Sequence, residues 1–132
     1  MTWKNSLSVN IEAVDEQHKK LIRLINDMHD AMKTGQSKEV MGRIFGELLD
    51  YTATHFKYEE DLFQKYGYPD SFDHKKAHEA LVNKAVDLKT KFDRGELSIN
   101  LEVMSFLKDW LNNHILRTDK KYSAFFNSKG VA

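Results

Sequence analysis

Seven side chains of the kinds that bind metal ions lie on the apolar stripes of this sequence. They are His18, His55, Glu59, His74, His78, His114 and Asp119. Five imidazoles and two carboxylates suit two metal ions, because a carboxylate can bridge two cations a few ångströms apart. Imidazole suits iron, zinc, copper or nickel. The leading hypothesis is therefore a dinuclear metal centre.

The spacing of two pairs matches one helical turn. His55 and Glu59 are four residues apart, as are His74 and His78, so each pair lies on one face of a helix. Either pair alone is weak evidence, since such spacings arise often by chance in helical sequences. Glu59 is more informative, because carboxylates are rarely buried on an apolar stripe unless they are paired or metal-bound. The joint placement of the pairs indicates a site.

His29 is interpreted differently from the other histidines. It shares the stripe of His18 but lies eleven residues further on. That separation is about 16 Å along a helix, too far to bind the same centre. We expect it to be a packing or boundary residue.

Four segments of helical periodicity must position these side chains. The first begins between Ile11 and Asp15 and ends near Thr34-Gly35, and the second runs from an N-cap at Ser37 to Gly67. The third runs from Pro69 and Asp70 to Arg94-Gly95. The fourth begins at Ser98 and its pattern weakens after Arg117. Short breaks favour antiparallel neighbours. Because ligands lie early in the first and third helices and late in the second and fourth, all would meet at one end.

The fold expected is all-α, an up-down-up-down four-helix bundle with an N-terminal arm and a short C-terminal tail. Trp3 and Leu7 would belong to the arm, and Tyr122, Phe125 and Phe126 to a tail that docks. A length of 132 residues predicts a single domain over 1–132.

The composition narrows the classes of partner. Twenty basic and twenty acidic residues cancel, so no overall field favours nucleic acid or an anionic membrane. The lack of cysteine excludes thiolate ligands, disulfides and iron–sulfur clusters. No stretch approaches the ~20 apolar residues that span a bilayer. A soluble, cytoplasmic protein, without membrane insertion or nucleic acid, is expected.

The sequence resembles the hemerythrin family, particularly the bacterial single-domain hemerythrins, across nearly its whole length. Four motifs carry the resemblance: Val14-Asp-Glu-Gln-His18, His55-Phe-Lys-Tyr-Glu-Glu60, His74-Lys-Lys-Ala-His78 and His114-Ile-Leu-Arg-Thr-Asp119. The resemblance implies a non-haem centre of two irons per chain. It assigns His74, His78 and His114 to one iron and His18 and His55 to the other, with Glu59, Asp119 and an oxo or hydroxo group as bridges.

This assignment implies an asymmetry between the irons. Three imidazoles, two carboxylate oxygens and the solvent-derived bridge give one iron six ligands, whereas two imidazoles leave the other with five. The open position is where dioxygen would bind. Candidates for an apolar wall over it are Leu21, Ile22, Phe56, Trp110, Leu111 and Ile115. Simple core packing accounts for these residues equally well.

The function implied by the resemblance is reversible dioxygen binding for storage, transport or delivery to an oxygen-consuming enzyme. The chain would then be a monomer without enzymatic activity. One alternative is a di-iron redox enzyme, a peroxidase or oxidase, which steady-state turnover with peroxide would reveal. Another is an oxygen or redox sensor, although no attached output domain is visible in the sequence. A purely structural metal site is least favoured, because it would not need an open coordination position.

Overall fold

Five α-helices account for most of the described chain. A computed structural model describes residues 2–96, 101–114 and 120–132. The helices are α1 (Glu12–Lys33), α2 (Lys38–Tyr66), α3 (Ser71–Asp93), α4 (Leu101–Asn113) and α5 (Lys120–Ser128), and one 3-10 turn, Asn5–Leu7, precedes them. The described ranges contain no β-strand, which confirms the all-α prediction. None of the helices in these ranges is both long and apolar enough to cross a membrane.

Local signals explain the helix boundaries. The hydroxyl of Ser37 accepts a hydrogen bond from the backbone N–H of Val40 at 3.2 Å, as an N-cap does. Gly67 ends α2 with φ at 68°, a left-handed conformation that glycine adopts without steric cost. Both predicted caps are confirmed. The predicted start of the fourth helix at Ser98 and its weakening after Arg117 lie outside the described residues.

The C-terminal segment docks as the predicted short tail does, and its conformation is a nine-residue helix, α5, which was not predicted. Helices this short are marginal in isolation, so tertiary contacts must hold it. The Ser123 hydroxyl donates to the Val9 carbonyl at 2.5 Å, and the Asn127 side-chain amide donates to the Asn10 carbonyl at 3.0 Å. Lys120 Nζ donates to the Ser6 carbonyl at 2.7 Å. The helix is therefore bonded to the N-terminal arm.

The interior is arranged in three layers along the bundle. An apolar main cluster at one end includes Leu21, Ile22, Ile25, Met28, Phe45, Leu48, Met104, Leu107 and Leu111. A polar layer follows, made of His18, His55, Glu59, His74, His78 and His114. A tail cluster beyond it contains Val9, Ile11, Val14, Phe63, Tyr68, Tyr122 and Phe126. The polar layer thus lies between two apolar regions, buried from solvent on both sides.

The order of residues along the chain explains this layering. In α1, Val14 of the tail cluster is followed by His18 and then by Leu21 of the main cluster. In α2 the order is reversed, from Phe45 through His55 to Phe63. Opposite orders in sequential helices are those of antiparallel neighbours, and this arrangement brings the predicted ligand pairs to one level.

Candidate metal centre

Six of the seven predicted ligands converge in the polar layer. Their exposed fractions lie between 0% and 4%. Their donor atoms form two groups, each with all its atoms within 4.8 Å of one another. One group is His18, His55 and Glu59, and the other is Glu59, His74, His78 and His114. The seventh predicted ligand, Asp119, lies outside the described residues.

The carboxylate of Glu59 belongs to both groups and lies at their junction. Its Oε1 is 2.6 Å from Nε2 of His55, 3.8 Å from Nε2 of His78 and 3.7 Å from Nε2 of His114. Its Oε2 is 3.4 Å from Nε2 of His74. A single carboxylate that reaches both histidine groups has the placement of a bridging ligand between two cations.

The imidazoles are directed toward one another by helix geometry. Nε2 of His18 on α1 lies 3.1 Å from Nε2 of His55 on α2. The rings of His74 and His78, one turn apart on α3, have centroids 4.7 Å apart and cross at 83°. His114 at the end of α4 approaches His78 with ring centroids 5.2 Å apart. Four helices therefore supply the donors, and the contacts to Glu59 described above are all made by Nε2 atoms.

The donor set fits a metal centre on physical grounds. Burial of a carboxylate among five imidazoles carries a large desolvation cost unless charge or hydrogen bonds compensate it. Neutral imidazole nitrogens and a carboxylate oxygen are ligands for iron, zinc, copper or nickel. Two clusters joined by one carboxylate can hold two such ions close together.

Two polar side chains lie on the outer side of the layer. Nδ1 of His55 donates to Oε1 of Gln17 at 2.6 Å. Nδ1 of His78 lies 3.6 Å from Oε2 of the half-buried Glu60. Partial burial raises the pKa of Glu60, opposed by the nearby Lys75 ammonium and reinforced by the Glu59 carboxylate. The sequence analysis identified neither as a site residue, although Gln17 directly precedes His18 in the first motif.

Aromatic rings fix the orientation of the imidazoles. Phe56, 2% exposed, stacks on His78 with ring centroids 3.8 Å apart and an interplanar angle of 3°. The same ring lies 5.2 Å from that of His114 and 5.9 Å from that of His55. On the tail-cluster side, the ring of Phe63 meets that of His74 edge-on at 4.7 Å. Apolar rings thus contact the polar layer from both directions.

The predicted apolar wall is only partly brought to the polar layer. Leu21, Ile22 and Leu111 are buried in the main cluster, and Phe56 contacts the imidazoles directly. Trp110 is half-buried, with its ring 6.1 Å from that of His114. Ile115 lies outside the described residues. The wall over an open metal position remains a prediction.

An open cavity of about 480 Å³ lies beside His114 and is lined by residues of α3 and α4. Leu81 lines it from α3, and Phe106 and Trp110 line it from α4. The buried positions of α3 are His74, His78 and Phe92. Of the predicted wall residues that are described, only Trp110 lines this cavity.

His29 is separated from the polar layer. Nδ1 of His29 lies 2.9 Å from the ammonium of Lys108 on α4, alongside the main cluster. Partial burial, with the positive charge of Lys108, lowers the pKa of His29. The side chain takes part in neither group of converging donors.

Comparison with known proteins gives consistent results. Residues 9–126 match the model of the hemerythrin HHE cation-binding domain. The chain is 41% identical over 123 residues to a bacteriohemerythrin of Methylococcus capsulatus, covering 92% of this chain and 93% of that protein. It is also 41% identical over 120 residues to a hemerythrin-like protein of Naegleria gruberi, covering 91% and 88% of the two chains. A crystal structure of wild-type hemerythrin superposes with a TM-score of 0.89 at 39% identity, covering 94% of this chain and 95% of the other.

Proposed function

The chain belongs to the hemerythrin family, and from this premise we propose that it binds dioxygen reversibly at a non-haem di-iron centre. Storage, transport and delivery to an oxygen-consuming enzyme are the roles that such binding serves. The observation that carries the proposal is the Glu59 carboxylate, which is buried and shared by two groups of histidines. One mononuclear site would not need that arrangement.

We assign the ligands as the family resemblance implies. His74, His78 and His114 would hold one iron, His18 and His55 would hold the other, and Glu59 and Asp119 would bridge them together with an oxo or hydroxo group. The convergence of the six described donors supports this set. Two ferrous ions held in this way would supply the electrons that reversible dioxygen binding requires.

The surrounding side chains exclude water from the donors. Phe56 stacks on the face of the His78 imidazole, and Leu111 is fully buried three residues before His114. Apolar walls of this kind keep proton donors and bulk solvent away from the reactive position. We therefore assign both residues to the lining that keeps binding reversible.

We propose a carrier without enzymatic turnover, folded as one domain over 1–132. In the described ranges, every buried histidine and carboxylate is already a candidate ligand in the polar layer. No other fully buried histidine or carboxylate of those ranges is left to serve as a separate general acid or base. A redox enzyme would be expected to hold such a group beside its substrate.

The experiment that tests this function combines metal analysis with optical spectroscopy. We expect two irons per chain and an oxygenated spectrum that disappears when the reduced, aerated protein is returned to anaerobic buffer. One metal per chain at full occupancy would contradict the dinuclear assignment. Steady-state consumption of peroxide without reversible cycling would indicate that the protein is an enzyme and not a carrier.

A further inference from the structure

Gln17 accepts a hydrogen bond from the outer nitrogen of one imidazole of the polar layer. Its Oε1 accepts from Nδ1 of His55 at 2.6 Å, across the α1–α2 contact. The next residue, His18, meets the same imidazole from the inner side, with the two Nε2 atoms 3.1 Å apart. Two consecutive residues of α1 therefore contact opposite nitrogens of His55.

This bond determines which nitrogen of His55 carries the proton. An amide oxygen only accepts hydrogen bonds, so Nδ1 must carry the hydrogen. The lone pair of the neutral ring is then on Nε2, which faces Glu59 at 2.6 Å. Outer partners of metal-bound histidines act in this way, fixing both the tautomer and the ring orientation.

The chemical type of the partner also matters. A carboxylate partner makes an imidazole a stronger donor, whereas a neutral amide does so less. The other histidine group has a carboxylate near its outer side, since Glu60 lies 3.6 Å from Nδ1 of His78. The side chain at the outer nitrogen of His55 is therefore a neutral amide, whereas the one near the outer nitrogen of His78 is a carboxylate.

We propose that Gln17 is a positioning residue that selects the Nε2-donating tautomer of His55 and keeps that imidazole a moderate donor. The proposal rests on the di-iron function above, in which His55 belongs to the iron with the open position. A moderate donor there favours the ferrous form, which is the form that binds dioxygen. A carboxylate at residue 17 would favour the ferric form.

Three variants test the proposal: Gln17→Leu, Gln17→Glu and, as a matched control on the exposed surface of α2, Gln64→Leu. The metal-free proteins are titrated with Co(II) against a competing chelator, and the tautomer of His55 is read from ¹⁵N NMR. We expect Gln17→Leu to weaken one of the two sites roughly 10–100-fold. Gln17→Glu should restore that affinity while lowering the reduction potential of the iron-loaded protein. Gln64→Leu should behave as wild type.

The outcomes separate this role from a simple link between helices. If Gln17→Leu lowers the melting temperature of the metal-free protein but leaves both affinities and the His55 tautomer unchanged, the proposal is wrong. It is also wrong if Gln17→Glu leaves the potential at the wild-type value. Failure of the wild type to bind two metals would instead contradict the di-iron function, so the two failures are distinguishable.

Discussion

Phe56 provides a test of whether the apolar lining controls the chemistry of the centre. Its ring contacts the imidazole of His55 in one donor group and those of His78 and His114 in the other. None of the ring contacts described above links a residue of the main cluster to both groups. We predict that Phe56→Ala destabilises the protein and also speeds the irreversible conversion of the iron-loaded protein to its ferric form in aerated buffer. Removal of the ring opens space for water beside His78.

The size of the stability effect follows from burial. Truncation of a buried phenylalanine to alanine costs about 3–5 kcal/mol. The unfolding entropy expected for 132 residues is about 280 cal/mol/K, so the melting temperature should fall by roughly 11–18 °C. Phe45, 0% exposed in the main cluster, offers a matched control because Phe45→Ala should cause a similar loss.

The assay compares both variants with wild type at a temperature where all are folded and carry the same iron content. Thermal unfolding gives the stability loss, and optical spectra recorded over time in aerated buffer give the rate of ferric conversion. We expect the rate to rise for Phe56→Ala and to stay near wild type for Phe45→Ala. Equal rates in the two variants would refute the reasoning. If alanine prevents folding, the pair Phe56→Leu and Phe45→Leu makes the same comparison.

Three further predictions concern the ligands, the lining and the pH dependence of stability. His55→Ala should lower iron stoichiometry and His29→Ala should not; metal analysis showing the reverse would overturn the ligand assignment. Leu111→Asn should speed ferric conversion at matched folding and iron content, and an unchanged rate would leave Leu111 as a packing residue only. Because partial burial and Lys108 lower the pKa of His29, the unfolded chain protonates this side chain first as the pH falls below about 6.5. As the pH falls below about 6.5, the free energy of unfolding of His29→Ala should therefore decrease less than that of wild type, as measured by denaturant titrations. Equal decreases in the two proteins would contradict the lowered pKa of His29.

The convergence of the six described donors was predictable because it depends on periodicity and order. Spacings of four residues place His55 with Glu59 and His74 with His78 whatever the packing angles, and antiparallel order brings both pairs to one level. The caps at Ser37 and Gly67 were predictable because they depend on local backbone chemistry alone.

Features that depend on contacts between distant segments were not predicted. The helical state of α5 depends on hydrogen bonds to the N-terminal arm, more than a hundred residues earlier in the chain. The bond from His55 to Gln17 depends on the separation of α1 and α2, which periodicity does not give. The cavity beside Trp110 likewise depends on how far α3 stands from α4.

The three-layer interior has a consequence for cooperativity. Without metal, the polar layer would hydrate readily and divide the apolar interior into two regions with little direct contact. Val9, Ile11 and α5 pack in the tail cluster, so they should then open as a separate unit while the main cluster stays folded. Metal would suppress this opening and make unfolding a single transition. Backbone amides of α5 should accordingly exchange with deuterium much faster in the metal-free protein, although none of its described residues belongs to either donor group.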